Sequence, residues 1–490
     1  MQEYKLFING EWTGSSTGET FEDINPATLE LIGRFQKASE NDVQRAVESA
    51  EEAFDSWSGT PAPQRAKILF RAARILEERK EELARLLTTE MGKILKEARG
   101  DVQEAIDITY YAAGEGRRLW GETTPSELPD KFCMTIRRPI GVLGLITPWN
   151  FPIAIPAWKI MPALISGNTL VFKPASDTPL MSIELVKILT QAGLPKGVLN
   201  LVTGEGSTAG SAIVHNKKIR AVSFTGSLET GKWIMGEAAK DMKRVSLELG
   251  GKNPIIVMDD ADLKLAIDGV IWGAFGTTGQ RCTAASRVIV HEKILEVFKK
   301  KLIERTKQLK LGNGLHKNID VGPVINDSQL QKIAKYIGIG KDEGAKLVHG
   351  GKIVKPLPGH FIEPTIFTDV TSDMRIAQEE IFGPVLSVIS AEGIDNAIDI
   401  ANSVEYGLSS SIYTEDMKNA FCAVEKIEAG LTYINSSTIG SEVHLPFGGV
   451  KSTGNGTREA GSTAIEEFTE LKTVYFDYSG KLQKAQIDIG

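Results

Sequence analysis

The sequence predicts an α/β fold: two doubly wound units and a small β extension. Three observations lead there. From residue 140 onward, short β-rich runs alternate with helical stretches, which is the pattern of βαβ units around a parallel sheet. The chain has 490 residues, more than one core of about 250–300 residues holds, so at least two large domains are expected. Two segments, 121–138 and the tail after 470, fit neither unit. Both are β-prone in places, as at 473–478, and are expected to pair as an extension at a subunit interface.

The elements follow in order. The first thirty residues read as short strands around turns, with Asn9-Gly10 a hairpin turn. Val43, Ala46, Val47, Ala50, Ala53, Phe54 and Trp57 fall at helical spacing. A longer helix is expected over 63–91, with Ile68, Ala72, Ile75, Leu76, Leu83 and Leu86 on one face. The β-rich runs 140–147, 169–173, 198–202, 221–225, 245–249 and 254–258 follow, separated by helical patterns such as 179–192 and 207–215. A second series has a helix over 262–278, a strand over 287–291 and a helix over 293–309. It continues through 385–389, 394–402, 410–413 and 431–435. The boundary between the units is expected near Gly250-Gly251.

Composition excludes several classes. The charged fraction is 24% and the net charge −7, so no global basic field points to nucleic acid or anionic lipid. The apolar stretches 140–148 and 153–165 are too short and interrupted to span a bilayer. The N-terminus shows no apolar signal-peptide core. Three scattered cysteines, Cys133, Cys282 and Cys422, give no disulfide framework and suit a reducing, cytoplasmic setting. No spacing of Cys or His suggests a metal site.

Chemistry gathers around a few residues. Cys282 follows Gly279-Gln280-Arg281 as the backbone leaves a helix, where a side chain can face a cleft and Arg281 can favour a thiolate; a small buried cysteine is the plain alternative. Glu248 ends an apolar strand before Gly250-Gly251, at a sheet edge where α/β clefts form. Oxidation of an aldehyde needs a thiolate to attack the carbonyl and then a base to activate water against the thioester. Asn150, fixed between Pro148 and Pro152, offers an amide that could join the Cys282 backbone N–H as an oxyanion donor; equally, it could only hold the turn. Cofactor signals are spread out. Gly206 to Gly210, and Phe224-Thr-Gly226-Ser227 to Gly231, each follow a strand and open a helix, which suits a phosphate. Lys173 ends its strand within reach of a ribose or phosphate, and Glu380 could hold a ribose hydroxyl pair. Taken singly, each also reads as an ordinary loop or surface residue.

The motifs ITPWNFP (146–152), FKPAS (172–176), FTGS (224–227), LELGGKNP (247–254), GQRC (279–282), EEIFGPV (379–385) and PFGGVKSTGNG (446–456) occur in this order and spacing. Through them the chain resembles the aldehyde dehydrogenase superfamily over nearly its whole length. The resemblance implies a Rossmann-like cofactor domain (1–120 and 140–249), a catalytic domain (250–469) and an oligomerisation arm (121–139 and 470–490), in a homo-oligomer, dimer or tetramer. It implies Cys282 as nucleophile, Glu248 as general base, Asn150 as oxyanion donor and Glu459 as a second acid relaying protons. Cofactor contacts would come from Ile146, Thr147, Pro148, Trp149, Lys173, Ser176, Gly206, Gly210, Phe224, Gly226, Ser227, Gly231, Leu249, Glu380 and Phe382. Phe447, Ser436 and Ser437 would line the aldehyde tunnel, with Arg281 as a candidate anion binder; a structural ion pair for Arg281 stays open.

In the family that the chain resembles, a glutamate that repels a 2′-phosphate often stands three residues after the lysine; here it is Ser176, so NADP is expected to be preferred over NAD, with dual use as the alternative. The likeness is nearest to dehydrogenases of 2-oxoglutarate semialdehyde, then succinate semialdehyde. A non-phosphorylating glyceraldehyde-3-phosphate reading ranks lower, because Glu104 stands about where a phosphate-binding arginine is expected. A broad-specificity enzyme is a further alternative. A CoA-acylating relative is disfavoured by Glu248, and a non-catalytic dinucleotide-binding protein by the presence of Cys282, Glu248 and Asn150 together.

Overall fold

A computed structural model describes residues 2–487. Met1 and 488–490, the outermost ends of the expected cofactor segment and arm, lie outside the described residues.

Two seven-stranded sheets form the body. In the first, Val142–Ile146 is central. Thr169–Lys173 and Leu199–Leu201 follow it on one side, and Ile219–Thr225 and Arg244–Glu248 on the other, all parallel. The hairpin Leu6–Ile8 and Glu11–Thr13 closes one edge antiparallel. Its turn is Asn9 (φ 53°) and Gly10 (φ 77°), the left-handed pair that a two-residue hairpin requires. In the second sheet Asn253–Val257 is central, between Ala285–His291 and Ser409–Tyr413, and only the edge pair Lys346–His349 with Thr365–Thr368 is antiparallel. Strands such as Thr169–Lys173 and Asn253–Val257 are buried at every position. Helices cover both faces of a parallel sheet, so these strands read as continuous rather than alternating apolar runs.

The fold class is the one predicted, and the two segments that fitted neither unit pair with each other. Thr469–Asp477 lies antiparallel to Lys131–Pro139 over nine residue pairs, and Thr123–Pro125 adds a third strand.

Two expected helices end differently. The single helix over 63–91 is two, Ala62–Glu78 and Lys80–Met91, broken where Arg79 leaves helical geometry (φ −97°, ψ 6°). Its guanidinium there holds Glu82 and, at 2.7 Å, Glu184 from another helix. The helix expected over 262–278 stops at Phe275. Thr277 (φ 49°), Thr278 (φ 58°) and Gly279 (φ 68°) are left-handed, a costly state for a β-branched residue. It is held from outside: Thr277 N–H donates to Glu97 Oε1 (2.8 Å) and Thr278 Oγ1 to the Gly322 carbonyl (3.0 Å). This turn delivers Cys282.

In the first sheet the strand order reverses between Val142–Ile146 and Ile219–Thr225, so the carboxyl ends open a crevice where α/β folds bind ligands. Thr147-Pro148-Trp149-Asn150 and Gly226-Ser227 leave the sheet there.

Candidate active site

Cys282 stands between two cavities. The larger, about 690 Å³, is bordered by Glu248, Phe447, Glu459, Arg281 and Glu104, and by the segment Ile439 to His444. The smaller, about 190 Å³, is bordered by Pro148, Trp149, Asn150, Gly226, Ser227, Glu380 and Phe382. Cys282, Thr225 and Leu249 line both.

The Cys282 thiol is pushed up to about 12, first by burial and then by the charges of Glu248 and Glu380. It is therefore a thiol at neutral pH, and its attack needs a base. The carboxylate of Glu248 is buried and neither oxygen has a hydrogen-bond partner. Burial, reinforced by Glu459, holds it well above the usual carboxylate range, which suits a base working near neutrality. Gly448 makes room for it: a Cβ there would stand 2.6 Å from Glu248 Oε1. Asn150 is buried, with Oδ1 unpartnered. Its carbonyl accepts from Lys93 Nζ at 2.8 Å, and that ammonium is paired with Asp101.

The smaller cavity is shaped by a carboxylate, two aromatic rings and a helix N-terminus. Glu380 Oε1 accepts from the Gly251 N–H (3.0 Å), and a Cβ at Gly250 would stand 2.4 Å from Glu380 Oε2, so only glycine leaves this carboxylate its place. Trp149 and Phe382 meet edge to face at 5.3 Å. Ser227 caps the helix Leu228–Ala239. Gly231 lets that helix approach Leu249, whose side chain a Cβ would meet at 2.5 Å. Phe224 packs beneath Gly226 in the same way. Ile146 is buried at its strand end, and Thr147 N–H donates to the Lys173 carbonyl at 3.2 Å.

Lys173, Ser176, Gly206 and Gly210 gather further along the same sheet edge. Lys173 is buried and pushed down to about 8. Its Nζ donates to the Pro174 carbonyl (2.9 Å), and Ser176 Oγ to the Gly204 carbonyl (2.8 Å). Gly206–Gly210 is a π-helical turn running into Ser211–His215.

Two expected tunnel residues are not there. Ser437 Oγ donates to the Gly269 carbonyl at 2.9 Å, Ser436 is exposed, and neither borders the cavity. The cavity wall is formed a turn later, from Ile439. Arg281 does border it, but Nε and Nη2 are taken by Thr277 Oγ1 (2.8 Å) and Glu97 (3.3 Å), with Trp272 under the guanidinium at 4.6 Å. Sequence reasoning missed Gln329 and Lys332, which border the smaller cavity. Gln329 Nε2 donates to the Ile381 and Phe382 carbonyls, each at 2.9 Å, and so holds Phe382 in its left-handed geometry (φ 58°). No motif marks these two; they lie on Asp327–Asp342, a helix outside the βα pattern first read.

The model of the aldehyde dehydrogenase family matches residues 12–474. The chain belongs to the aldehyde dehydrogenase family. Among similar proteins, the alpha-ketoglutaric semialdehyde dehydrogenase of Bacillus subtilis is 46% identical over 96% of this chain and 98% of its own length. The 2,5-dioxopentanoate dehydrogenase of Saccharolobus solfataricus is 45% identical over 95% and 98% respectively. A crystal structure of betaine aldehyde dehydrogenase from Staphylococcus aureus in complex with NAD+ superposes with a TM-score of 0.96 at 38% identity, covering 98% of this chain and 96% of that one. This dehydrogenase is thus an oxidoreductase that acts on aldehydes with a nicotinamide dinucleotide. Among the described residues no helix is long and apolar enough to cross a membrane.

Proposed function

We propose that the dehydrogenase oxidises 2-oxoglutarate semialdehyde to the dicarboxylate, preferring NADP to NAD. The observation that carries the mechanism is that Cys282 borders both cavities, so a thiol-bound aldehyde carbon faces a cofactor on one side and Glu248 on the other. Glu248 takes the thiol proton as Sγ bonds to the carbonyl carbon. Asn150 and the Cys282 backbone N–H hold the oxyanion. A bound nicotinamide supplies the hydride acceptor. Glu248, freed of its proton through Glu459, then takes one from water as its oxygen adds to the thioester; the C–S bond breaks, the Cys282 sulfur takes that proton back from Glu248, and the acid leaves.

In this reading Trp149 and Ser227 contact the pyrophosphate, Glu380 and Phe382 the nicotinamide-side ribose, and Lys173 and Ser176 the adenine-side ribose and its 2′-phosphate. Ser176 supports NADP because it adds no negative charge there. The substrate carboxylate pairs with Arg281 through Nη1, the nitrogen that Thr277 and Glu97 do not use; Phe447 flanks the chain. The names of the two semialdehyde-oxidising relatives support the same substrate class. The division into cofactor domain (1–120, 140–249), catalytic domain (250–469) and arm (121–139, 470–490) is part of this proposal, as are a homotetramer joined through the arm and a cytoplasmic setting.

The test is a spectrophotometric panel of NAD(P)H formation, with both cofactors, on 2-oxoglutarate semialdehyde, succinate semialdehyde, D-glyceraldehyde 3-phosphate, glyceraldehyde and hexanal. The proposal expects the carboxylated semialdehydes to lead in kcat/KM, with NADP ahead of NAD. Equal or better rates with hexanal and glyceraldehyde overturn the substrate.

A further inference from the structure

A third cavity, of about 260 Å³, shares no lining residue with the two just described and is lined by the strand that ends at Glu248 through Arg244 and Ser246. It is rimmed by exposed Gly456 and Glu466 and floored by buried Ser223, Ser246 and Glu467. The strands that form its back wall explain how polar groups reach so deep. Ile219–Thr225 and Arg244–Glu248 run side by side in register, with Ser223 opposite Ser246 and Thr225 opposite Glu248. Side chains two apart share a face. One face of this strand pair therefore carries Ser223, Thr225, Ser246 and Glu248, while Val222, Phe224 and Leu247 pack into the apolar cluster on the other.

Buried side chains connect Glu459, whose charge acts on Glu248 without a hydrogen bond between them, to Glu467 beside this stripe. Lys159 Nζ contacts Glu459 Oε1 and lies 2.8 Å from Ser223 Oγ. Ser223 Oγ donates to Glu467 Oε1 at 3.0 Å. Glu467 is 8% exposed, and its Oε2 has no partner. Lys159 and Glu459 belong to helices and turns 300 residues apart, so the chain of contacts is built by the tertiary fold alone. A buried lysine flanked by two buried glutamates leaves one acid in excess, and that acid can carry an exchangeable proton. Burial, with Glu459 next, pushes Glu467 up to about 7, the range in which a carboxyl both accepts and releases a proton near neutrality.

We propose that Glu467 is the outlet of a proton route running from Glu248 through Glu459, Lys159 and Ser223 into this third cavity. The proposal rests on Glu248 as the base. The reaction needs such a route between its two halves. Attack by Cys282 moves the thiol proton to Glu248, and the C–S bond forms with the sulfur electron pair. Glu248 must lose that proton before it can take another from the attacking water. At that moment the cofactor and the acyl chain fill the two cavities that open on Cys282. Over the cycle an aldehyde, oxidised cofactor and water become a carboxylate, reduced cofactor and two protons. The outlet carries the first of these, and the second leaves with the carboxylic acid product. Glu467 touches no reacting atom; it acts through Ser223 and Lys159.

The test follows proton release and reduced-cofactor formation together, by stopped flow in weakly buffered phenol red. The aldehyde is 2-oxoglutarate semialdehyde, or hexanal if that turns over faster. Glu467→Gln keeps the shape and the acceptor for Ser223 but cannot carry a proton. The expected result is an intact first burst of reduced cofactor, proton release lagging behind it, and kcat lower by about tenfold at unchanged KM. Glu467→Asp should regain most of the rate, and added formate should partly rescue Glu467→Gln. Proton release and kcat within twofold of the parent in Glu467→Gln overturn the outlet. So does an equal loss in the Gln and Asp variants without a lag. Glu248→Gln separates the two readings: if it keeps steady turnover, the base itself is misassigned and the outlet falls with it. If it stops turnover while Glu467→Gln does not, the outlet alone falls.

Discussion

The two cavities that meet at Cys282 are built from different material. The smaller is framed by turns that leave the carboxyl ends of parallel strands, and its shape is set by backbone: the Gly251 N–H on Glu380, the caps at Ser227, the carbonyls of Ile381 and Phe382 held by Gln329. The larger is walled by side chains from the helix Leu95–Glu115 and from the irregular segment after Thr438. Backbone geometry tolerates few residue types, so the smaller cavity constrains its own sequence. A wall of side chains can change one residue at a time and still stand. In the proposed function, the cofactor site is thus fixed by backbone, while much of the wall facing the aldehyde is free to vary around Cys282 and Glu248.

Substitutions can break or sharpen that contrast. The largest effects belong to residues shared by both sides. Cys282→Ala should reduce kcat by more than about a thousandfold while cofactor binding, read by fluorescence quenching, stays within a few-fold. Glu248→Gln should slow the burst of reduced cofactor, because the thiol loses its base, and leave little steady turnover after it. Because the raised Glu248 must be unprotonated to act, kcat/KM should rise with pH through a limb above the usual carboxylate range; this limb should be missing from the burst phase of Glu248→Gln. Asn150→Ala should cost about 3 kcal/mol of transition-state stabilisation, a loss of about a hundredfold in kcat, with KM little moved.

Smaller effects should respect the division. Ser176→Glu, at the backbone-framed end, should lower the NADP/NAD ratio of kcat/KM by about tenfold or more through like charge; an unchanged ratio places Ser176 away from the 2′-phosphate. Arg281→Ala, in the side-chain wall, should raise KM for carboxylated aldehydes more than for hexanal. It should also lower the melting temperature, because buried Glu97 keeps the Thr277 N–H but loses its charged partner, at a cost of about 3 kcal/mol. A thermal shift with equal changes in KM for both aldehydes would assign Arg281 to structure alone.

The same division decided what could be read from the sequence. The turns that line the smaller cavity were legible because they sit next to glycines and prolines at strand ends: Pro148-Trp149-Asn150, Gly226-Ser227, Leu249-Gly250. The strand 169–173 was legible because burial on both faces makes it uniformly apolar. Ser436 and Ser437 misled because adjacency in sequence does not say at which residue an irregular segment turns to face the cavity. Arg281 was ambiguous because its partner, Glu97, lies 184 residues away. Gln329, Lys332 and Glu467 carried no local signal. Their surroundings exist only when distant segments meet.

The late position of so much of this machinery has a consequence for synthesis. Thr469–Asp477 is the partner strand of Lys131–Pro139, and Glu459 is the partner of Lys159. On the ribosome, the first sheet and Lys131–Pro139 emerge well before residues 459–477. Until residues 459–477 leave the exit tunnel, Lys131–Pro139 exposes an unpaired edge and Lys159 is a buried charge without its counterion. The nascent chain therefore holds an incomplete half that residues 459–477 must close.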